Sequence, residues 1–111
     1  MADHLSVTPK MAQILKVFLE DVEQPRYGFE LMQLTSQHSG TLYPILATLE
    51  KAGWLNSHRE DIDPKEAGRR PRRMYLLTPD GAVLAQARLE ALAEAYRPPV
   101  NARLRPQGGT A

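Results

Sequence analysis

Two short stretches hold most of the residues with chemistry to offer. GRRPRR places Arg69, Arg70, Arg72 and Arg73 within residues 68–73. Each guanidinium is a permanently charged, planar fork of N–H donors that matches phosphate or carboxylate oxygens. SGTLYP, residues 39–44, offers hydroxyls at Ser39 and Thr41 and a phenol at Tyr43, set between the compact Gly40 and Pro44. Such groups at the start of a helix, beside its free N–H groups, suit phosphates and base edges. Alone, an arginine run also fits a solvated loop. It becomes a phosphate contact only beside an element that reads a groove.

Other chemistries find little support. There is no cysteine, which removes disulfides, zinc–thiolate sites and cysteine catalysis and fits a reducing cytoplasm. His4, His38 and His58 make no i, i+4 pair, so no metal or other cofactor is expected. His38 suits either a phosphate contact or a solvated turn. Glu60, Asp61, Asp63 and Glu66 read as a loop that balances the arginines rather than a cation site. No catalytic Ser/His/Asp order, phosphate-binding glycine loop or rigid carboxylate pair occurs, so no enzyme is expected.

The elements that must position these residues follow from periodicity. The chain has 111 residues, 42% hydrophobic and 24% charged, which suits one globular domain with a small core. It begins without an apolar signal segment and contains no membrane-spanning run, which predicts a cytoplasmic protein. Net charge is only +1, but its distribution is uneven. Residues 1–37 carry three basic and five acidic side chains, and residues 38–77 carry seven basic and five acidic.

Thr8 and Pro9 open a first helix whose buried face is Met11, Ile14, Leu15, Phe18, Leu19 and Val22. A second helix spans about 27–35, with Phe29, Leu31, Met32 and Leu34 as its apolar positions. The short TSQHSG break forces the third helix, about 39–52 with Ser39 as N-cap, to cross the second at a large angle. Leu42, Ile45, Leu46 and Leu49 form its inner side. Gly40, Tyr43, Pro44, Thr48 and Lys51 form its outer side, and Gly53 ends it. WLNSHRE and RRMYLLT read as two strands around a long mobile loop. Trp54 fits a core plug between helix and sheet better than a stacking wall for a ligand. Thr78 and Pro79 open a last helix reaching about Tyr96. Ala85, Leu89, Leu92 and Tyr96 repeat along it as a short coiled-coil seam. The tail, 98–111, is Pro/Gly-rich and predicted to be disordered.

This order specifies an α+β, mainly α fold. It is a winged helix-turn-helix over residues 1–78, with a C-terminal dimerisation helix at 79–97. Such a third helix enters the major groove by its N-terminal end. Small residues there let the backbone approach the duplex, and the arginine wing meets backbone or minor groove.

YGFELM, SGTLYPILATLEKAGWL and GRRPRRMYLLTPDG, in this order, resemble the PadR family of bacterial transcriptional regulators. The resemblance covers nearly all of 10–96. It implies a homodimer that binds double-stranded DNA, usually as a repressor, with the C-terminal helix making the dimer. Carried over by position, Tyr27, Ser39, Thr41, Tyr43 and Pro44 fall in the reading head and its support. Arg69, Arg72 and Arg73 fall in the wing. The spacer before GTLYP is shorter than in many members, and the single last helix fits the short subgroup. Some short relatives bind a small aromatic effector between subunits, and here the last helix offers Tyr96 as its aromatic. Two rivals stand beside this reading: a winged helix that binds protein, and a dimer whose ligand cleft is the main site.

Overall fold

The computed structural model describes residues 5–104. In chain order these form α1 (Pro9–Glu20), β1 (Arg26–Tyr27), α2 (Gly28–Thr35), α3 (Ser39–Lys51), β2 (Leu55–Arg59), α4 (Pro64–Ala67), β3 (Arg73–Leu77) and α5 (Pro79–Ala95), then a 3₁₀ turn at Ala102–Leu104. Residues 105–111 of the expected tail lie outside the described residues.

Three helices open on the same signal, an oxygen-bearing cap followed by proline. Thr8 Oγ1 accepts the Met11 N–H at 3.2 Å, Asp63 accepts the Lys65 N–H at 2.9 Å, and Thr78 Oγ1 accepts the Gly81 N–H at 2.9 Å. The Asp63 cap builds α4 inside what the sequence suggested was an unstructured loop. α3 departs from expectation at its start. Its N-cap is His38, in extended conformation, and Ser39 is the first helical residue. The His38 carbonyl takes the Thr41 and Leu42 N–H groups at 3.0 and 2.9 Å, while its side chain makes no cap bond.

β1, β2 and β3 form an antiparallel sheet in the order β1-β3-β2. Leu55 faces Leu77 and Arg59 faces Arg73 in the hairpin. β1 was not foreseen, because two residues are too few for an alternating pattern. Glu30 ties it to α2, accepting from Arg26 at 2.9 Å and from the Tyr27 N–H at 3.4 Å.

The core gathers Ile14, Leu15, Phe18, Leu31, Leu42, Leu46, Leu49, Trp54 and Leu55, all almost wholly buried. Trp54, at 0% exposure, is the largest. α5 is fastened to its backbone: the Thr78 N–H reaches the Trp54 carbonyl at 3.0 Å, and Thr78 Oγ1 donates to the Gly53 carbonyl at 2.8 Å. Gly81 costs helix propensity, yet its place is required, because a Cβ there would run into Trp54 main-chain atoms.

Three expected core positions turn outward. Val22 lies past the end of α1, and Phe29 and Leu34 flank the inward-facing Leu31 on α2; all three are exposed. Ala85 is corrected in the opposite sense. It is 0% exposed within its own chain, so it belongs to the core and cannot form part of a seam with a partner. Leu89 and Leu92 are partly buried, and Tyr96 is exposed. α1 lies against this same chain's α5.

Candidate nucleic-acid interface

The start of α3 is open. Ser39, Gly40 and Pro44 are exposed, Thr41 is half-buried, and nothing lies within 4 Å of where a Gly40 Cβ would be. Leu42, Leu46 and Leu49 anchor the opposite side of the helix in the core. Pro44 lies inside the helix and has no N–H to offer the Gly40 carbonyl. Thr48 and Lys51 continue the exposed face toward the C-terminus. The Thr48 hydroxyl is engaged, donating to the Pro44 carbonyl at 2.9 Å.

Tyr43 reaches sideways instead of straight out. It is 46% exposed, and its ring lies so close over Gly28 that any Cβ there would collide with it. The glycine thus lets the first turn of α2 receive the phenol, which ties the front of α3 to α2.

The wing is organised by an acid. Glu60 grips Arg69 with both oxygens, at 2.6 and 3.1 Å, and also accepts the Arg72 N–H at 2.8 Å. Its own N–H donates to the Arg72 carbonyl at 2.8 Å. The hydrogen bonds from Arg69 and from the Arg72 backbone hold the Glu60 carboxyl down to about 2, and Glu60 in turn raises the Arg69 guanidinium above its usual value. Arg69 is therefore already half-committed. Arg72 stacks over the Tyr27 ring, 4.1 Å from its centroid, a cation–π contact that places Tyr27 beneath the wing. Arg73 donates to Ser57 Oγ at 3.1 Å, and Ser57 donates to Glu50 at 2.6 Å, a chain leading back to α3. Among the described residues, the Arg70 guanidinium is exposed and has no hydrogen-bond or ion-pair partner.

These parts meet in one cleft of ≈ 360 Å³. Arg69, Arg70, Arg72 and Arg73 line it, together with Gly28 and Tyr43 and with Tyr27, Phe29 and Tyr75. Burial pushes the Tyr75 phenol up, so it stays a neutral hydrogen-bonding group. The cleft combines fixed positive charge, phenol hydroxyls and the N-terminus of α2, a combination suited to a polyanion's backbone. His38, Ser39, Gly40, Thr48 and Lys51 do not line it; they lie along the exposed face of α3. Glu60, Ser57, Glu50 and Phe29 were not singled out as site residues from sequence. Glu60 was legible only as counter-charge, since its pairing with Arg69 depends on the hairpin register.

A second concavity lies between α1 and α5. It is an apolar groove of ≈ 320 Å³ lined by Pro9, Ala12, Gln13 and Lys16 on one side and Leu89, Leu92, Ala93 and Tyr96 on the other. Among the described residues no helix is long and apolar enough to cross a membrane, and no three acidic or histidine side chains gather as a metal-holding group.

The family model described as "Transcriptional regulator PadR-like family" matches residues 14–87. No curated protein matches the sequence. Among solved structures, a probable transcriptional regulator from Pseudomonas aeruginosa is similar at TM-score 0.68 and 23% identity, over 86% of this chain and 66% of that one. The MepR–DNA complex of S. aureus gives TM-score 0.63 and 15% identity, over 82% and 68%. AbfR, a Staphylococcus epidermidis protein, in its overoxidized form bound to DNA gives 0.64 and 24%, over 82% and 61%. The chain thus spans about two thirds of the length of these relatives, and at such identities the likeness shows a shared winged-helix fold.

Proposed function

Because the chain belongs to the PadR-like family of transcriptional regulators, we propose that it binds double-stranded DNA sequence-specifically as a homodimer and represses transcription in the cytoplasm. In this reading α3 enters the major groove by its Ser39–Pro44 end, and the wing arginines grip backbone or minor groove. One observation carries it: the open tip of α3 and the arginine-lined cleft adjoin each other through Tyr43, so a single duplex can engage both. MepR and AbfR, which share the fold, are bound to DNA in their solved structures. Two copies of α3 about one helical turn apart, roughly 34 Å, would face a pseudo-palindrome.

The α1–α5 groove supports the dimer. Its apolar lining and the exposed alanines beyond it leave the outer half of α5 only partly covered within the chain. A second copy's α5, presenting Leu89, Leu92 and Tyr96, would cover it. The same lining favours a second reading, in which a small aromatic molecule enters the groove and modulates DNA binding. Thermal shift with planar phenolic compounds tests this; saturable stabilisation growing as RT ln(1 + [L]/Kd) supports it.

The deciding experiment for DNA binding is fluorescence anisotropy with duplex DNA from upstream of the protein's own gene, across a salt series. Binding should weaken linearly in log salt, with a slope of about 0.9 per neutralised phosphate. Affinity that neither favours that duplex over random DNA nor responds to salt would remove the reading.

A further inference from the structure

Gln37, in the turn between α2 and α3, holds a position that neither the core nor the interface explains. It is only 8% exposed, the one buried polar side chain among the described residues. Its amide nitrogen donates at 3.1 Å to the Lys10 carbonyl and at 3.1 Å to Gln13 Oε1, both on α1. Its own amide oxygen is buried with no partner. An apolar side chain of the same shape would avoid that unpaired oxygen. The Lys10 carbonyl does not need the bond either, since helical geometry already gives it the Ile14 N–H. Both amide hydrogens therefore serve to fix the turn onto α1.

The two ends of this clamp matter. Gln13 also lines the apolar groove between α1 and α5. Gln37 immediately precedes His38, the N-cap whose carbonyl receives the first N–H groups of α3. A short path thus runs from groove to Gln13, to Gln37, to the open tip of α3. We propose that Gln37 is a positioning residue: its clamp on α1 sets the direction of α3 relative to the α1–α5 pair, and so the spacing between the two reading ends of the dimer. This rests on the DNA-reading dimer proposed above and adds the element that aligns it.

The test uses the full chain and Gln37→Met, which removes both donors and the unpaired oxygen while keeping length. The probe is the tightest duplex that the wild-type protein selects from a random library, with versions whose half-sites are one base pair closer or farther apart. Wild type should prefer the selected spacing at least tenfold. In Gln37→Met that preference should fall at least threefold, while affinity for a single half-site stays within twofold. Gln13→Met, altering an exposed position, should show a smaller loss of the same kind and guards against a misfolded Gln37 variant. Residual dipolar couplings of the α3 and α5 amides read the helix orientation without DNA. They should report a changed or averaged angle in both methionine variants. Unchanged spacing preference together with unchanged couplings overturns the proposal. If the wild-type chain binds no DNA, the functional reading fails by itself, and the couplings still decide whether Gln37 sets the angle.

Discussion

Gly28 and Gly81 both lack room for a Cβ, but they meet different obstacles. At Gly28 the obstacle is the Tyr43 ring, a side chain that can swing away; at Gly81 it is the Trp54 backbone. Gly81→Ala should therefore destabilise strongly, by about 3 kcal/mol or more, because overpacking against main chain cannot relax through a rotamer. Gly28→Ala should cost less, about 1–2 kcal/mol, and Tyr43→Ala should relieve much of that in a double-mutant cycle. Equal, non-rescuable losses in urea titrations would contradict this contrast. The wing arginines differ in the same residue-specific way. Arg70→Ala should flatten the salt slope by about 0.9 for each subunit bound, since its guanidinium has no partner to release. Arg69→Ala should flatten it less, because Glu60 already holds that charge. The Glu60 carboxyl is lowered in the fold, so its contribution is complete above the usual carboxylate value of 4.5 and is lost as pH falls through about 2. The protection factor of the Arg72 amide, its exchange rate relative to an unstructured peptide at the same pH, should accordingly hold near pH 5 and fall as acid approaches pH 2. None of these distinctions was visible in GRRPRR itself, where the arginines look equivalent. Their partners come from residues such as Glu60 and Tyr27, brought alongside by strand pairing.

At the scale of elements, much of the architecture could be read directly. The proline caps, the helical stripe of α1, the tight turn before α3 and the strand pair around a polar tip all carry local signals. What escaped reading did so for local reasons too. β1 is too short to alternate, α4 is a single capped turn, and Ser39 lost the N-cap role to a histidine carbonyl. Phe29 and Leu34 are apolar yet face outward, because a short helix with Leu31 at its inner face has little else to bury. Pro44 is the element-scale oddity that stays informative. Replacing it with Ala restores an N–H for the Gly40 carbonyl and should raise stability by up to about 3 kcal/mol by thermal denaturation. In the DNA-reading view the same substitution should weaken operator binding, since it stiffens the tip that must approach the bases. A variant both more stable and equally tight would show that Pro44 has no part in reading.

At the scale of the molecule, α5 has two halves with different tasks. Its first turns belong to the core, through Thr78, Gly81 and Ala85. Its last turns stand beyond it, with Leu92 at the groove and Tyr96 largely in solvent. The sequence pattern ran these together into one seam, because periodicity reports a buried face without saying which chain covers it. On the proposed dimeric reading, Leu92→Glu should give monomers by sedimentation velocity and abolish cooperative binding, while leaving the winged fold intact by circular dichroism. A variant that remains dimeric would move the interface elsewhere. Wild-type melting should also shift upward with protein concentration, as expected when folding and association are linked.

The Glu60–Arg69 grip has one more consequence, for how such a protein would travel on a chromosome. Non-specific attachment scales with the number of phosphates neutralised. A reader that keeps one cation occupied by its own carboxylate grips arbitrary sequence less firmly. It leaves unproductive sites sooner, and more of its time is free for search.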